Sequence, residues 1–317
     1  MLGTRVLSQG LRVSEIGLGC VGMSAEYGDP IERDEVQSLG TLERALELGV
    51  TLLDTADSYG PYTNELLLGR FLRGRRDRVI ISTKVGQVLD PVTQRFVVNG
   101  RPDHLRTSCT ASLRRLGVDA IDLYHLHRVD PEVPLEDSWG AMLELQDEGK
   151  VRALGICEVG VEELETAHRI APVAAVQSEL SLWTRGALSE VLPWCRAQGV
   201  GFIPYAPLGR GFLTGSIVSA DFSAGDIRAR NPRFSETAIG VNQAIIAGIK
   251  QVADRHRATP AQVAIAWTLA QGDAVVPIPG TKRVAYLEEN VGAASLHLSA
   301  DDLDLLSRLP EPMGSRY

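Results

Sequence analysis

Cysteine is scarce. Cys20, Cys109, Cys157 and Cys195 are the only four in 317 residues, far apart and with no CxxC pair or neighbouring histidine cluster. That pattern argues against a disulfide framework and a zinc site, and it points to no other metal. Basic charge is also short: 32 Lys and Arg face 40 Asp and Glu, a net charge of −8. A nucleic-acid binder needs a basic face, so that class is disfavoured. No apolar run approaches the ~20 residues of a membrane helix. The opening Met1-Leu2-Gly3-Thr4-Arg5 carries no signal-peptide core, which makes a cytoplasmic location the default expectation. Lysine is rarer than arginine by far, occurring only at Lys84, Lys150, Lys250 and Lys282. Each is therefore a candidate for chemistry that a guanidinium cannot perform.

What is present is an alternation. Short apolar runs at Glu15–Gly19, Thr51–Asp54, Val79–Lys84, Ile121–His127, Arg152–Ile156, Val173–Ser178, Gly201–Tyr205 and Ala274–Ile278 read as strands buried on both faces. Between them helical periodicity fills Arg33–Leu48, Asn64–Arg73, Pro102–Leu116, Leu135–Glu148, Val161–Ile170, Arg185–Gln198, Asn242–Arg257, Pro260–Gln271 and Val284–Ala294. Thr259-Pro260 places a capping hydroxyl before a first-turn proline. Eight strand–helix alternations predict an α/β protein of the (β/α)8 TIM barrel type, as a single domain over 1–317. A doubly wound open sheet is the runner-up, but no GxGxxG follows the first strand. Residues Thr4–Val13, with a turn at Gln9-Gly10, predict a short hairpin at the bottom of the barrel. Two stretches, Leu89–Gly100 and Pro207–Gly240, exceed ordinary connections and are candidate lids.

Ionisable residues collect at the strand ends, where barrel enzymes carry their chemistry. Asp54 ends the second strand, Tyr59 follows five residues later, Lys84 ends the third strand and His127 the fourth. A buried lysine is costly unless paired, and Asp54 is the available partner. An ammonium beside a phenol is expected to lower the tyrosine pKa from its usual ~10. An imidazole alongside can hold a substrate carbonyl, which makes this a general-acid constellation.

Several segments, taken in order, resemble the aldo-keto reductase superfamily, in particular its bacterial branch related to potassium-channel β subunits. They are Gly17-Leu18-Gly19, Leu53-Asp54-Thr55-Ala56-Asp57-Ser58-Tyr59-Gly60, Ser112-Leu113-Arg114-Arg115-Leu116-Gly117, Asp122-Leu123-Tyr124-His125-Leu126-His127, Tyr205-Ala206-Pro207-Leu208-Gly209 and Ile278-Pro279-Gly280-Thr281. The resemblance implies a catalytic tetrad of Asp54, Tyr59, Lys84 and His127. It selects His127 over His125 because the family histidine falls five residues after the aspartate, while strand parity gives both the same side.

The same resemblance implies NADPH as cofactor. Gln177 and Cys157 would meet the nicotinamide amide, and Tyr205 would stack on its ring. Leu208, Gly209, Arg210 and Gly211 would lie along the pyrophosphate. Gly280, Thr281, Lys282 and Arg283 precede a helix start suited to phosphate, and Glu289 and Asn290 fall near the adenine. Cys157 stands where the family often has serine, and Tyr286 where many relatives carry an arginine. Tyr27, Val85, Arg128 and Trp183 are candidate substrate walls. The implied activity is reduction of a small aldehyde or ketone, with Tyr59 as proton donor and a small-molecule carbonyl as the partner. Two alternatives stand beside it: a cofactor-binding partner protein similar to the channel β subunits, and a barrel isomerase or aldolase using Lys84 as a Schiff-base nucleophile.

Overall fold

The computed structural model describes residues 2–8, 10–29 and 33–316. A parallel sheet curls into a barrel. In spatial order its strands are β11 (Gly201–Tyr205), β10 (Ala175–Glu179), β9 (Leu154–Cys157), β8 (Leu123–Leu126), β5 (Ile80–Val85), β4 (Leu52–Asp54) and β3 (Leu18–Gly19). The expected eighth strand, Ala274–Ile278, is not a regular one. It runs as an extended segment that closes the gap from both sides: Phe202 N donates to Ala274 O and Ile278 N to Pro204 O, while Gly17 N donates to Pro277 O. Pro277 and Pro279 have no N–H to give towards β3, and Pro204 of β11 has none to give from the other side, so the ladder is interrupted on both. Closure is tight. A Cβ on Gly19 would stand 2.9 Å from Ile278 O.

Helices cover the outside: α1 (Glu35–Glu47), α2 (Thr63–Leu72), α3 (Pro102–Leu116), α4 (Leu135–Asp147), α5 (Val161–Ile170), α6 (Val191–Gln198), α7 (Glu236–His256), α8 (Pro260–Leu269), α9 (Val284–Gly292) and α10 (Ala300–Ser307). Their apolar faces pack on the outward side chains of the strands, among them Ile81, Val85, Tyr124 and Leu126. Thr259 caps α8 through a reciprocal pair with Gln262, as its sequence predicts. Helix α7 begins six residues earlier than the periodicity suggested, because Ser235 accepts from Ala238 N and caps it. Helix α10 was not anticipated.

The alternate, inward side chains fill the barrel in layers. At the bottom, Leu7, Leu11 and Val13 of the hairpin β1 (Thr4–Ser8) and β2 (Leu11–Ser14) pack against Leu52, Leu123, Ala175, Ile203, Val276 and Ile278. The hairpin is as expected; of its turn, Gly10 is described at φ 83° and Gln9 lies outside the described residues. This apolar floor leaves only the upper layer, at the C-terminal strand ends, for polar groups.

The two long stretches are more structured than loops. Within the first, β6 (Gln87–Leu89) pairs with β7 (Phe96–Val98), and Asp90 accepts from Val92 N and Thr93 N to make the turn. The second holds 3-10 turns at Gly209–Thr214, Ile227–Arg230 and Pro232–Phe234. Its Phe212 stacks on Trp183 with ring centroids 4.6 Å apart, and Phe234 closes that cluster edge-on.

Candidate active site

The upper layer brings together residues from three adjacent strands. Parity on β5 sends Ser82 and Lys84 inward while Thr83 and Val85 face the helices. The Lys84 ammonium, 1% exposed, donates to Asp54 Oδ2 at 2.6 Å, to Thr55 O at 2.7 Å and to the Tyr59 hydroxyl at 3.2 Å. All three of its protons are thereby used. Asp54 is held from its other oxygen by Ser82 Oγ and by the side-chain amide of Gln177, each at 2.9 Å. Tyr59 reaches the ammonium because the chain after β4 turns back: Asp57 N donates to Lys84 O and Tyr59 N to Ala56 O.

His127 completes the group. Its ring lies edge-on to that of Tyr59 with centroids 6.1 Å apart, and Nδ1 is 3.5 Å from Ser58 Oγ. Burial holds this imidazole well below the usual histidine range, and the positive charges of Lys84 and Arg128 act in the same direction. It is neutral at pH 7, with one N–H to donate. His125 lies one layer deeper. It is fully buried, its ring nitrogens have no partner among the described residues, and it packs so closely on Gly155 that a Cβ there would meet Nδ1 at 2.3 Å. The structure therefore separates two histidines that periodicity could not.

One electrostatic expectation is reversed. The Tyr59 phenol is pushed well above the usual tyrosine range, first by burial and then by the nearby Asp54 and Glu26 carboxylates. Asp54 sits closer to Lys84 than Tyr59 does, and it neutralises the ammonium that was expected to acidify the phenol. A protonated phenol at neutral pH is the consequence.

Around this centre the other predicted residues divide. Cys157 and Gln177 lie side by side on β9 and β10 at the same height. Burial pushes the Cys157 thiol up to about 12, so it stays protonated. The Gln177 amide oxygen has no bond among the described residues. Tyr205 ends β11 with its hydroxyl at the mouth. Arg128 donates to His127 O at 2.6 Å, and Tyr27 packs beneath the guanidinium of Arg228; both border the mouth.

Beyond β11, Ala206, Gly209, Arg210 and Gly211 take positive φ, which folds the Leu208–Gly211 backbone into a tight turn. The Arg210 side chain, however, is turned inward to 4.0 Å from Glu179. Thr281 Oγ1 accepts from Arg283 N, Lys282 O accepts from Thr41, and Arg283 is the N-cap of α9, whose first turn carries no side-chain cap. Asn290 is buried on that helix, and Gln262 holds Glu289 O. Gly280 bridges to Gly19 at the seam.

Two expected pocket walls are core residues. Val85 is fully buried and points outward into the helix layer, as its parity requires. Trp183 is 2% exposed within the Phe212–Phe234 cluster. Neither lines the mouth.

Residues absent from the sequence reading also belong here. Glu26, at φ 69°, sets a carboxyl close enough to act on Tyr59, Lys84, Arg128 and Arg210, and burial raises it above the usual range. Glu158 and Glu179 stand above β9 and β10, and Arg316 binds both. A depression lined by Arg70, Arg73, Arg76, Arg114 and Arg115 lies where β5 and β8 begin, away from this centre. Arg70, Arg76 and Arg115 are paired with Glu35, Asp122 and Glu65, and the cations complement the C-terminal ends of α2 and α3.

A parallel barrel with an apolar floor and a charged, hydrogen-bonded cluster at its C-terminal face defines the class as a (β/α)8 barrel enzyme. A profile of the aldo/keto reductase family matches residues 15–311. The chain is 40% identical over 314 residues to probable aldo-keto reductase 1 of Glycine max, covering 98% of this chain and 90% of that one. Among solved structures, glycerol dehydrogenase from Gluconobacter oxydans superposes with a TM-score of 0.87 at 26% identity, covering 99% and 98% of the two chains. An aldo/keto reductase from Klebsiella pneumoniae, in complex with NADP and acetate, does so at 0.75 with 27% identity over 100% and 99%. The chain belongs to the aldo/keto reductase family.

Proposed function

We propose that the protein is an NADPH-dependent reductase of small aldehydes or ketones, with Tyr59 as general acid. The observation that carries this reading is the Lys84 ammonium clamped between Asp54 and the Tyr59 hydroxyl, at the open end of a barrel whose neutral His127 stands edge-on to the Tyr59 ring. The NADP and NADPH complexes of the Klebsiella pneumoniae relatives support the choice of cofactor.

The donor set fits such a cofactor. The Gln177 side-chain amide, which spends its N–H on Asp54, presents its oxygen to a carboxamide, and the Tyr205 ring offers a flat apolar face. The uncapped first turn of α9, with Lys282 and Arg283 beside it, suits phosphate. Cys157 contributes a weak donor at most. When bound, NADPH supplies the hydride that reduces a carbonyl carbon.

The chain's own residues do the rest. Neutral His127 donates its N–H to the carbonyl oxygen and orients it. Tyr59 then delivers the phenolic proton as negative charge builds on that oxygen. Because its pKa is raised, the phenol holds this proton across the physiological range, and it is surrendered only to a strongly basic developing alkoxide. Lys84 steadies the phenolate left behind, and Asp54, fixed by Ser82 and Gln177, holds the Lys84 side chain in place. Tyr27, Arg128 and Glu26 border the substrate space, a lining that favours small polar carbonyl compounds over large apolar ones.

The test is a panel of aldehydes and ketones under saturating NADPH, followed by the absorbance of the reduced nicotinamide. Substrate-dependent loss with stoichiometric alcohol is expected. Tight NADPH binding with no turnover on any compound would replace this reading with that of a cofactor-sensing partner protein.

A further inference from the structure

The segment after α10 returns across the C-terminal face of the barrel. It is tied down by Met313 N to Asn242 Oδ1 at 2.8 Å, by Arg233 to Gly314 O and by Asn231 to Arg316 O at 2.9 Å. This delivers the Arg316 side chain to three neighbouring strand ends. Its guanidinium binds Glu158 Oε1 beyond β9 at 2.7 Å, Glu179 Oε2 on β10 at 2.7 Å and the Tyr205 hydroxyl on β11 at 2.5 Å.

The two carboxylates are poorly hydrated. The Glu179 side chain is 2% exposed and that of Glu158 15%. Glu179 also receives Thr184 Oγ1 and lies 4.0 Å from Arg210, so one carboxylate links Arg316 to the turn after β11. The guanidinium spreads its donors over a rigid planar fork, so one side chain reaches acceptors on three strand ends; an ammonium must place all its donors on a single atom.

We propose that Arg316 is a positioning residue for the cofactor: it fixes the Tyr205 ring by its hydroxyl and cancels the charge of Glu158 and Glu179 on the face that receives a polyanionic dinucleotide. The proposal rests on the reading that Tyr205 meets the nicotinamide. An ordinary tail anchor would affect folding alone. A positioning role affects the affinity for cofactor in a protein that is still folded, because two poorly hydrated anions are unmasked beside the phosphate-bearing ligand and the ring loses this tether.

Fluorescence titration of NADPH, with circular-dichroism melts on the same samples, separates these cases. Arg316→Ala is expected to raise the NADPH Kd about 10-fold, the scale of a lost charge-assisted hydrogen bond. Arg316→Lys, which keeps the charge without the fork, is expected to fall between. The Arg316→Ala effect is expected to shrink in a Tyr205→Phe background, where the tethered hydroxyl is already gone. In steady state the KM for NADPH rises while kcat changes little. An Arg316→Ala protein that melts lower yet binds NADPH as the wild type does would overturn the proposal, and if that variant does not fold, the same outcome with Arg316→Lys decides. Tyr205→Ala tells the two failures apart. If it weakens NADPH binding while Arg316→Ala does not, only the positioning role is lost; if it leaves binding unchanged, the reading of Tyr205 fails and the proposal falls with it.

Discussion

Lys84→Met is the most informative structural perturbation, because its cost can be worked from the contacts. The substitution keeps the length and apolar stem of the side chain and removes only the ammonium. Three bonds disappear, to Asp54, Thr55 O and Tyr59. Asp54 is 2% exposed, and among the described residues Ser82 and Gln177 are then the donors left to its side chain. Breaking a buried pair by removing one partner costs about 3–5 kcal/mol, mostly the penalty of the stranded charge. Removing both charges in Asp54→Asn/Lys84→Met leaves the Ser82 and Gln177 bonds an acceptor and should recover most of that loss. Urea unfolding followed by circular dichroism measures both variants. The single variant should be less stable by that amount and the double variant close to wild type, with neither regaining carbonyl reduction. A single variant within about 1 kcal/mol of wild type, or a double variant as unstable as the single, would refute the pairing argument.

Other perturbations probe the surroundings. Burial, with the Glu65 carboxylate next in effect, lifts Asp57 from its ordinary 3.8 to about 8. The folded state therefore holds a proton that the unfolded state releases, so this residue's contribution to stability declines as pH rises from about 4 to about 8. Asp57→Asn should flatten that slope in thermal melts taken across the interval; an unchanged slope would contradict the assignment. Gly155→Ala drives a methyl into His125 at 2.3 Å and should cost about 1–3 kcal/mol, read by urea midpoint. A neutral result there would mean that the deep histidine moves freely.

Much of this was legible in the chain because its physics is local. Strand β11 and helices α3 and α5 have the bounds that apolar runs and end residues set, and Lys84 stood out as an ammonium at a strand end in an arginine-rich chain. The run Ala274–Ile278 is apolar like a strand, but Pro204, Pro277 and Pro279 interrupt its ladder on both sides. Val85 follows Lys84 in sequence, but strand alternation turns it away from the barrel axis. The hairpin β6–β7 and helix α10 carry local signals, in the Asp90-Pro91 turn and in Ser299 with Asp302 three residues on. The Glu158–Glu179–Arg316 cluster left none. It joins residues more than 130 positions apart in sequence, through a segment placed only by tertiary contacts. The sign of the Tyr59 shift was hidden for a related reason, since burial and the order of the Asp54 and Tyr59 distances to Lys84 exist only in three dimensions.

The most direct measurement is Tyr59→Phe, which deletes one oxygen and leaves the ring, the Lys84–Asp54 pair and the cofactor face in place. Reduction of the best carbonyl substrate should fall by about 100-fold to 10,000-fold, the usual contribution of a positioned general acid, with the NADPH Kd unchanged. Wild-type turnover by that variant would show that the proton comes from elsewhere.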